Sequence, residues 1–156
     1  MTINITNFPF PPSVNEMYES HIKYIKTKTG KNIAKTYRRR SVDLESFYER
    51  CYLFKAQNRA NFEIIIKQVN EWLSDGKVLK LDISVLVEKP RMFTVQGVPK
   101  QFDADNRAKA VLDGLSKILG IDDKYVFSVS IEKVTCSQKD MECAQIKITP
   151  IIPKFI

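Results

Sequence analysis

Phe102-Asp103-Ala-Asp105-Asn106-Arg-Ala-Lys109-Ala-Val-Leu-Asp113-Gly-Leu-Ser-Lys-Ile-Leu119-Gly120-Ile-Asp122-Asp123 sets five carboxylates and one central ammonium around a single predicted helix. Apolar residues recur at Ala108, Val111, Leu112, Leu115, Ile118 and Leu119, the spacing of one buried stripe at 3.6 residues per turn. Gly120 stands where a helix ends in a left-handed residue. Asp103 or Asp105 at the other end suits an N-cap, favoured by the positive pole of the helix dipole. Residues four apart share a helix face, so Asp105, Lys109 and, with some drift, Asp113 project away from the apolar stripe. An Asp-to-Lys pair at that spacing is also an ordinary surface ion pair worth about 0.3–0.5 kcal/mol.

Capping accounts for one or two of these acids and leaves Asp122-Asp123, one short turn beyond the helix and just before an alternating apolar run. If that run pairs beside the strand that feeds the helix, Asp123 returns toward Asp103 and Asp105. Carboxylates so gathered repel one another unless a cation sits among them. Hard divalent cations take oxygen ligands, and such a cluster suits phosphodiester hydrolysis. Two readings therefore stand side by side: metal-dependent phosphoryl chemistry and an acidic, solvated helix start. An EF-hand loop is set aside, because its fifth and sixth positions would fall on Arg107 and Ala108 instead of an acidic or Asn residue and Gly.

Charge is unevenly spread along the 156 residues. Lys23, Lys26, Lys28, Lys31, Lys35, Arg38, Arg39 and Arg40 lie in residues 21–40 with no acid among them. The other 17 basic residues face 18 acids, so the whole excess of the net +7 sits in this one segment. Tyr18, Tyr24 and Tyr37 flank or interleave it, a composition suited to phosphate contact with some stacking. A charge run is by itself a solvated loop or tail. Beside a phosphodiester-cutting acidic cluster, a compensating basic surface becomes a requirement, because acids repel nucleic acid.

Composition bounds the rest. The length fits one domain, 1–156, with 44% hydrophobic and 28% charged residues, as in soluble globular chains. No stretch approaches the apolar length of a membrane span, and Met1-Thr-Ile-Asn-Ile-Thr-Asn7 lacks a signal peptide's basic start and apolar run, so no membrane association and a cytoplasmic location are expected. Cys51, Cys136 and Cys143 form no CxxC pair and His21 is the only histidine, which argues against a zinc site or a histidine-based triad. All three cysteines read as reduced core residues, although Cys136 and Cys143 could face one another across a hairpin.

Along the chain, Thr2 to Phe8 alternates as a short strand, and Phe8-Pro-Phe-Pro-Pro-Ser-Val-Asn15 ends it. The basic segment holds a turn signal at Thr29-Gly30, which suits a flexible hairpin or a loop ordered on binding. Helix is expected from Val42 to Leu73, with a kink or junction at Gln57-Asn58-Arg59 and with Phe47 and Trp72 in the core or a dimer interface. Leu79 to Val87 is the clearest strand, and Lys89, Arg91 and Lys100 mark a mobile basic loop leading to Asp103. Strands follow near Val126–Val134 and Ala144–Ile148. This order, without strict βαβ alternation, predicts an α+β fold: a mixed sheet of about four strands packed against helices.

The pattern Asp103-x-Asp105-Asn106-x-x-Lys109-x-x-x-Asp113-x-Leu115, with Asp122-Asp123 before a strand, resembles the RusA family of Holliday junction resolvases, and Phe8 to Asn15 resembles that family's Pro-aromatic-Pro-Pro-Ser-x-Asn opening. The two motifs cover about a quarter of the chain. The resemblance implies a RusA-like fold and a homodimeric, Mg²⁺-dependent endonuclease (Mn²⁺ as substitute) that makes paired symmetric nicks in four-way DNA junctions and uses no organic cofactor. By motif position, Asp103, Asp105 and Asp123 would be the catalytic, metal-binding carboxylates and Lys109 the essential lysine. Asn106, Asp122 and Asp113 would support them. The basic residues of 21–40, with Lys89, Arg91 and Lys100, would bind DNA. A non-catalytic DNA-binding module that uses residues 21–40 is the competing function, and a general or RNA-directed nuclease is a third.

Overall fold

The computed structural model describes residues 1–13 and 18–154. Val14 and Asn15 of the opening motif lie outside the described residues. The chain runs β1 (Ile3–Phe8), β2 (Tyr18–Lys26), β3 (Asn32–Arg40), α1 (Val42–Gln57), α2 (Arg59–Ser74), β4 (Val78–Glu88), α3 (Asp105–Leu119), β5 (Val126–Cys136) and β6 (Cys143–Ile151). Single helical turns stand at Lys89–Met92, Asp123–Tyr125 and Lys139–Met141. The four-stranded sheet has the order β1-β6-β4-β5; β4 and β5 are parallel and the other pairs antiparallel. The mixed sheet and its α+β class agree with the sequence pattern.

Burial explains the architecture. On β4, Leu79, Leu81, Ile83, Val85 and Val87 are buried at every second position, so a single face of the strand meets the helices. Parallel neighbours need a crossover, and α3 supplies it between β4 and β5. Phe8, Phe47, Phe54 and Phe62 join the sheet to α1 and α2 through edge-on ring contacts at 5.7–6.2 Å. Phe47 and Trp72 are core residues within this chain. Gly114 lets α3 approach α1, since a Cβ there would stand 3.0 Å from the Phe47 ring and 3.1 Å from Cys51 Sγ.

Helix ends follow local chemistry. Ser41 Oγ accepts from the Leu44 N–H at 3.1 Å and starts α1. Asn58, at φ −115° and ψ 30°, separates α1 from α2 where the polar Gln57-Asn58-Arg59 patch predicted a junction. The three cysteines are free and buried, and burial pushes the Cys51 thiol up to about 12. No helix among the described residues is long and apolar enough to cross a membrane.

The basic segment is a regular antiparallel hairpin, with Lys26 opposite Asn32 at its tip and Tyr18 opposite Arg40 at its base. The turn closes through Gly30 at φ 83° and the Lys31 N–H to Thr27 Oγ1 at 3.1 Å. Nine residues per strand give an arm about 30 Å long. It belongs to a sheet of its own, and Ile22, Tyr24 and Ile33 are more than half exposed on it.

Candidate active site

α3 begins at Asp105, not at Asp103, and neither acid caps it: Ala104 occupies the cap position with helical torsions and no side-chain bond. Asp103 instead accepts a hydrogen bond from Asn106 Nδ2 at 3.1 Å, which fixes the approach to the helix. The capping explanation for these acids therefore fails. Gly120 does end the helix in the left-handed region at φ 69°. Lys109 Nζ stands 3.7 Å from Asp113 Oδ2, with the lysine side chain 55% exposed and the aspartate 24%. The ammonium is thereby oriented while remaining open to a ligand.

Asp122 and Asp123 sit at the opposite end of α3. Asp122 is occupied as a cap: its Oδ1 accepts from the Lys124 N–H at 3.0 Å and Lys124 Nζ lies 3.3 Å from Oδ2. That backbone N–H, and then the ammonium, hold the Asp122 carboxyl below the usual carboxylate range. Asp123 is exposed and shares a cleft of about 300 Å³ with Arg40, Tyr48, Asp113, Ser116 and Lys117. Arg40 and Lys117 both lie over the Tyr48 ring, at 5.6 and 4.8 Å. The base of the basic hairpin thus borders a cleft lined by two carboxylates, Asp113 and Asp123, and two cations, Arg40 and Lys117.

The expected convergence of Asp103, Asp105 and Asp123 does not occur within one chain. Asp105 and Leu119 bound α3, and 1.5 Å per residue separates them by about 21 Å. The chain returns only far enough for Asp123 to join Asp113 and Ser116. Among the described residues no three acidic, histidine or cysteine side chains are placed to hold a metal ion. Within one chain, then, Asp103 and Asp105 stand at the start of α3 and Asp123 lies past its far end. The physical reason is topological: the parallel β4–β5 pair forces α3 to traverse the sheet before β5 begins.

Sequence reading missed a second constellation beside Asp105. Arg107 is buried, donates to the Pro11 carbonyl, and lies over the rings of Phe10 and Phe102 at 5.0 and 4.5 Å. It takes the place in the buried stripe expected for Ala108, which is half-exposed. The usable clue was an arginine at helical spacing with Val111 and Leu115. Arg91 stacks on the same two rings and pairs with Glu142 at 2.6 Å, while Lys100 Nζ donates to the Pro90 carbonyl at 2.8 Å. The segment from Lys89 to Phe102 is consequently stitched by internal bonds, including a Phe93–Pro99 bridge, and is not the loose basic loop its composition suggested. Lys133 Nζ donates to the Phe102 carbonyl at 3.1 Å, tying the approach to Asp103 onto β5.

A family model for endodeoxyribonucleases matches residues 9–149, so the class is that of hydrolases acting on DNA phosphodiester bonds. The family is RusA, the Holliday junction resolvases, and this chain belongs to it. No curated protein matches the chain.

Proposed function

We propose that the protein is a homodimeric, Mg²⁺-dependent resolvase that cuts four-way DNA junctions by paired symmetric nicks. The observation that carries this reading is the junction of two features in one cleft: Arg40, at the root of the basic arm, lines the same space as Asp113 and Asp123. Phosphates held along the arm lead directly to carboxylates. Exposed Lys23, Lys26, Lys28, Lys31, Lys35, Arg39 and Arg40 supply phosphate contacts, with the Arg38 backbone in the same strand and Tyr24 open for stacking. Lys89, exposed just past the end of β4, is a further phosphate contact of this reading. Arg91 and Lys100, engaged internally, hold the approach to the site.

Asp103, Asp105 and Asp123 are the catalytic carboxylates of this reading and Lys109 its cationic partner, placed to steady charge developing on the phosphate oxygens. Asp113 orients Lys109, Asn106 orients Asp103, and Asp122 shapes the turn before β5. Mg²⁺, or Mn²⁺ in its place, is the cation for which an all-oxygen donor set is suited. Homodimerisation follows from the substrate, since two related nicks in an approximately two-fold junction need two symmetric sites.

The test is a labelled synthetic four-way junction beside linear duplex and RNA of the same sequence, each with and without Mg²⁺. Cleavage confined to the junction and to Mg²⁺ is expected. Tight binding with no cleavage would make the protein an architectural module, and equal cutting of duplex or RNA would make it a general nuclease.

A further inference from the structure

We infer that the tight hairpin from Phe93 to Pro99 is an apolar wedge that enters an opened base step of the DNA near the cut and so favours branched DNA over intact duplex. This rests on the DNA-cutting reading above and adds to it a contact made to bases, where the basic arm meets phosphates.

The hairpin is built as a fixed object. Phe93 and Pro99 form a bridge, the Thr94 N–H donates to the Val98 carbonyl at 2.8 Å, and the Gly97 N–H donates to the Thr94 carbonyl at 2.9 Å. Gly97, at φ 80°, supplies the left-handed residue that closes the turn. Thr94 Oγ1 accepts a further bond from the Val98 N–H at 3.1 Å. Below the turn, the Lys100 N–H donates to the carbonyl of buried Met92 at 2.7 Å. Arg91 and the Glu88 N–H both hold the Glu142 carboxylate. A tip anchored in this way meets a ligand already ordered.

Its residues are the wrong kind for a solvated turn. Turns are ordinarily made by Gly, Pro, Asn, Asp and Ser, whereas this tip reads Val95-Gln96-Gly97-Val98. Val95 is fully exposed and Val98 57% exposed, so neither stabilises the fold appreciably by burial. A lone exposed valine would mean little. Two on one turn, within a stretch from Phe93 to Pro99 that carries no charge, make an apolar point. A local rule broken without gain to the fold marks a functional position.

Charge names the occupant. Lys89 and Arg91 precede the point, Lys100 follows it, and residues 89–102 hold no acid. An apolar tip in a cationic collar suits DNA, in which apolar side chains slip between base pairs while cations hold the phosphates on either side. The tip is also close to the chemistry. Five residues lead from Val98 to Asp103, at most about 17 Å of extended chain, or about five base steps at about 3.4 Å each. Lys133 pins the Phe102 carbonyl at 3.1 Å and holds that approach on β5.

The cost of opening a step turns this contact into discrimination. In intact duplex every step is stacked and must be prised apart before a side chain enters. At a branch point the stack is already interrupted, so the same insertion costs less. Valine has no aromatic face, and a base opened by it is not restacked on protein.

The test places 2-aminopurine, one position at a time, within about five nucleotides of the branch point of a synthetic four-way junction, the reach set by the Val98–Asp103 spacing. Binding is measured without Mg²⁺. Wild-type protein is expected to raise the fluorescence severalfold at one or two positions and to leave the same base dark in linear duplex. Val95→Ser with Val98→Ser should abolish the rise and reduce the preference for junction over duplex by about tenfold in gel-shift titrations, at unchanged melting temperature. Val95→Ile with Val98→Ile should keep both, because apolar bulk is what the wedge requires. A full rise in the serine variant, or no rise at any position with wild-type protein bound, would overturn the wedge. So would a smaller assembly mass for the serine variant in sedimentation equilibrium, which would show the tip covered by a second copy of the chain. If the rise occurred and Mg²⁺ brought no cutting, the resolvase reading would fail and the wedge would stand.

Discussion

Asp105→Asn is expected to lower Mg²⁺-dependent cleavage of a four-way junction by about a thousandfold or more, the scale reached when a group acting on the transition state is removed. Binding should be unchanged or tighter, because the substitution deletes a negative charge that faces phosphate. Asp105 is exposed on the first turn of α3, takes no cap bond, and lies clear of the core, so the fold tolerates the change. Single-turnover kinetics beside a gel-shift titration separate the two effects. Full cleavage with weakened binding would remove Asp105 from the chemistry.

The second large effect belongs to the hairpin. Replacing Lys23, Lys26, Lys28, Lys31 and Lys35 by Gln removes five cations from an arm whose two strands, among the described residues, pair only with each other. Deleting one phosphate-neutralising cation lowers the steepness of log K against log salt by about 0.9, so the slope should flatten by about four to five and affinity near physiological salt should fall by about a hundredfold or more. The weakening should be uniform across DNA sequences, since phosphates carry no sequence information. Thermal stability should hardly change, as these side chains are exposed. An unaltered salt slope would show that the arm does not touch DNA.

Much of the fold could be read from residues because its signals are local. The alternation from Leu79 to Val87 reports a strand whose two faces meet different surroundings, and Gly120 reports a helix end that only a left-handed residue completes. The junction at Asn58 was visible because three polar residues interrupt two apolar stripes. Chemistry-bearing residues were likewise legible by type: Lys109 and Asp113 do meet at the spacing of one helical turn.

What could not be read was geometry set by partners distant in sequence. Sequence placed Asp123 beside Asp103 because the following strand was expected next to β4, and it is next to β4. It is parallel, however, so its first residue pairs with Leu79 at the start of β4, while Asp105 follows the end of that strand. Orientation of the pairing, not its existence, decides where the acid lies. Arg107 was missed for a related reason: its burial depends on Phe10, Pro11 and Phe102, and the first two come from the other end of the chain. The Lys89–Phe102 segment looked mobile from its basic composition, yet Glu142, far along the chain, anchors it.

Cleavage of a supercoiled plasmid carrying an extruded cruciform is the most direct measure of the central claim, that a symmetric dimer makes paired nicks. With Mg²⁺ the wild-type protein is expected to convert the plasmid to linear molecules cut at symmetric positions across the junction. Accumulation of nicked circles alone, or cutting at positions unrelated by the junction's two-fold axis, would contradict it.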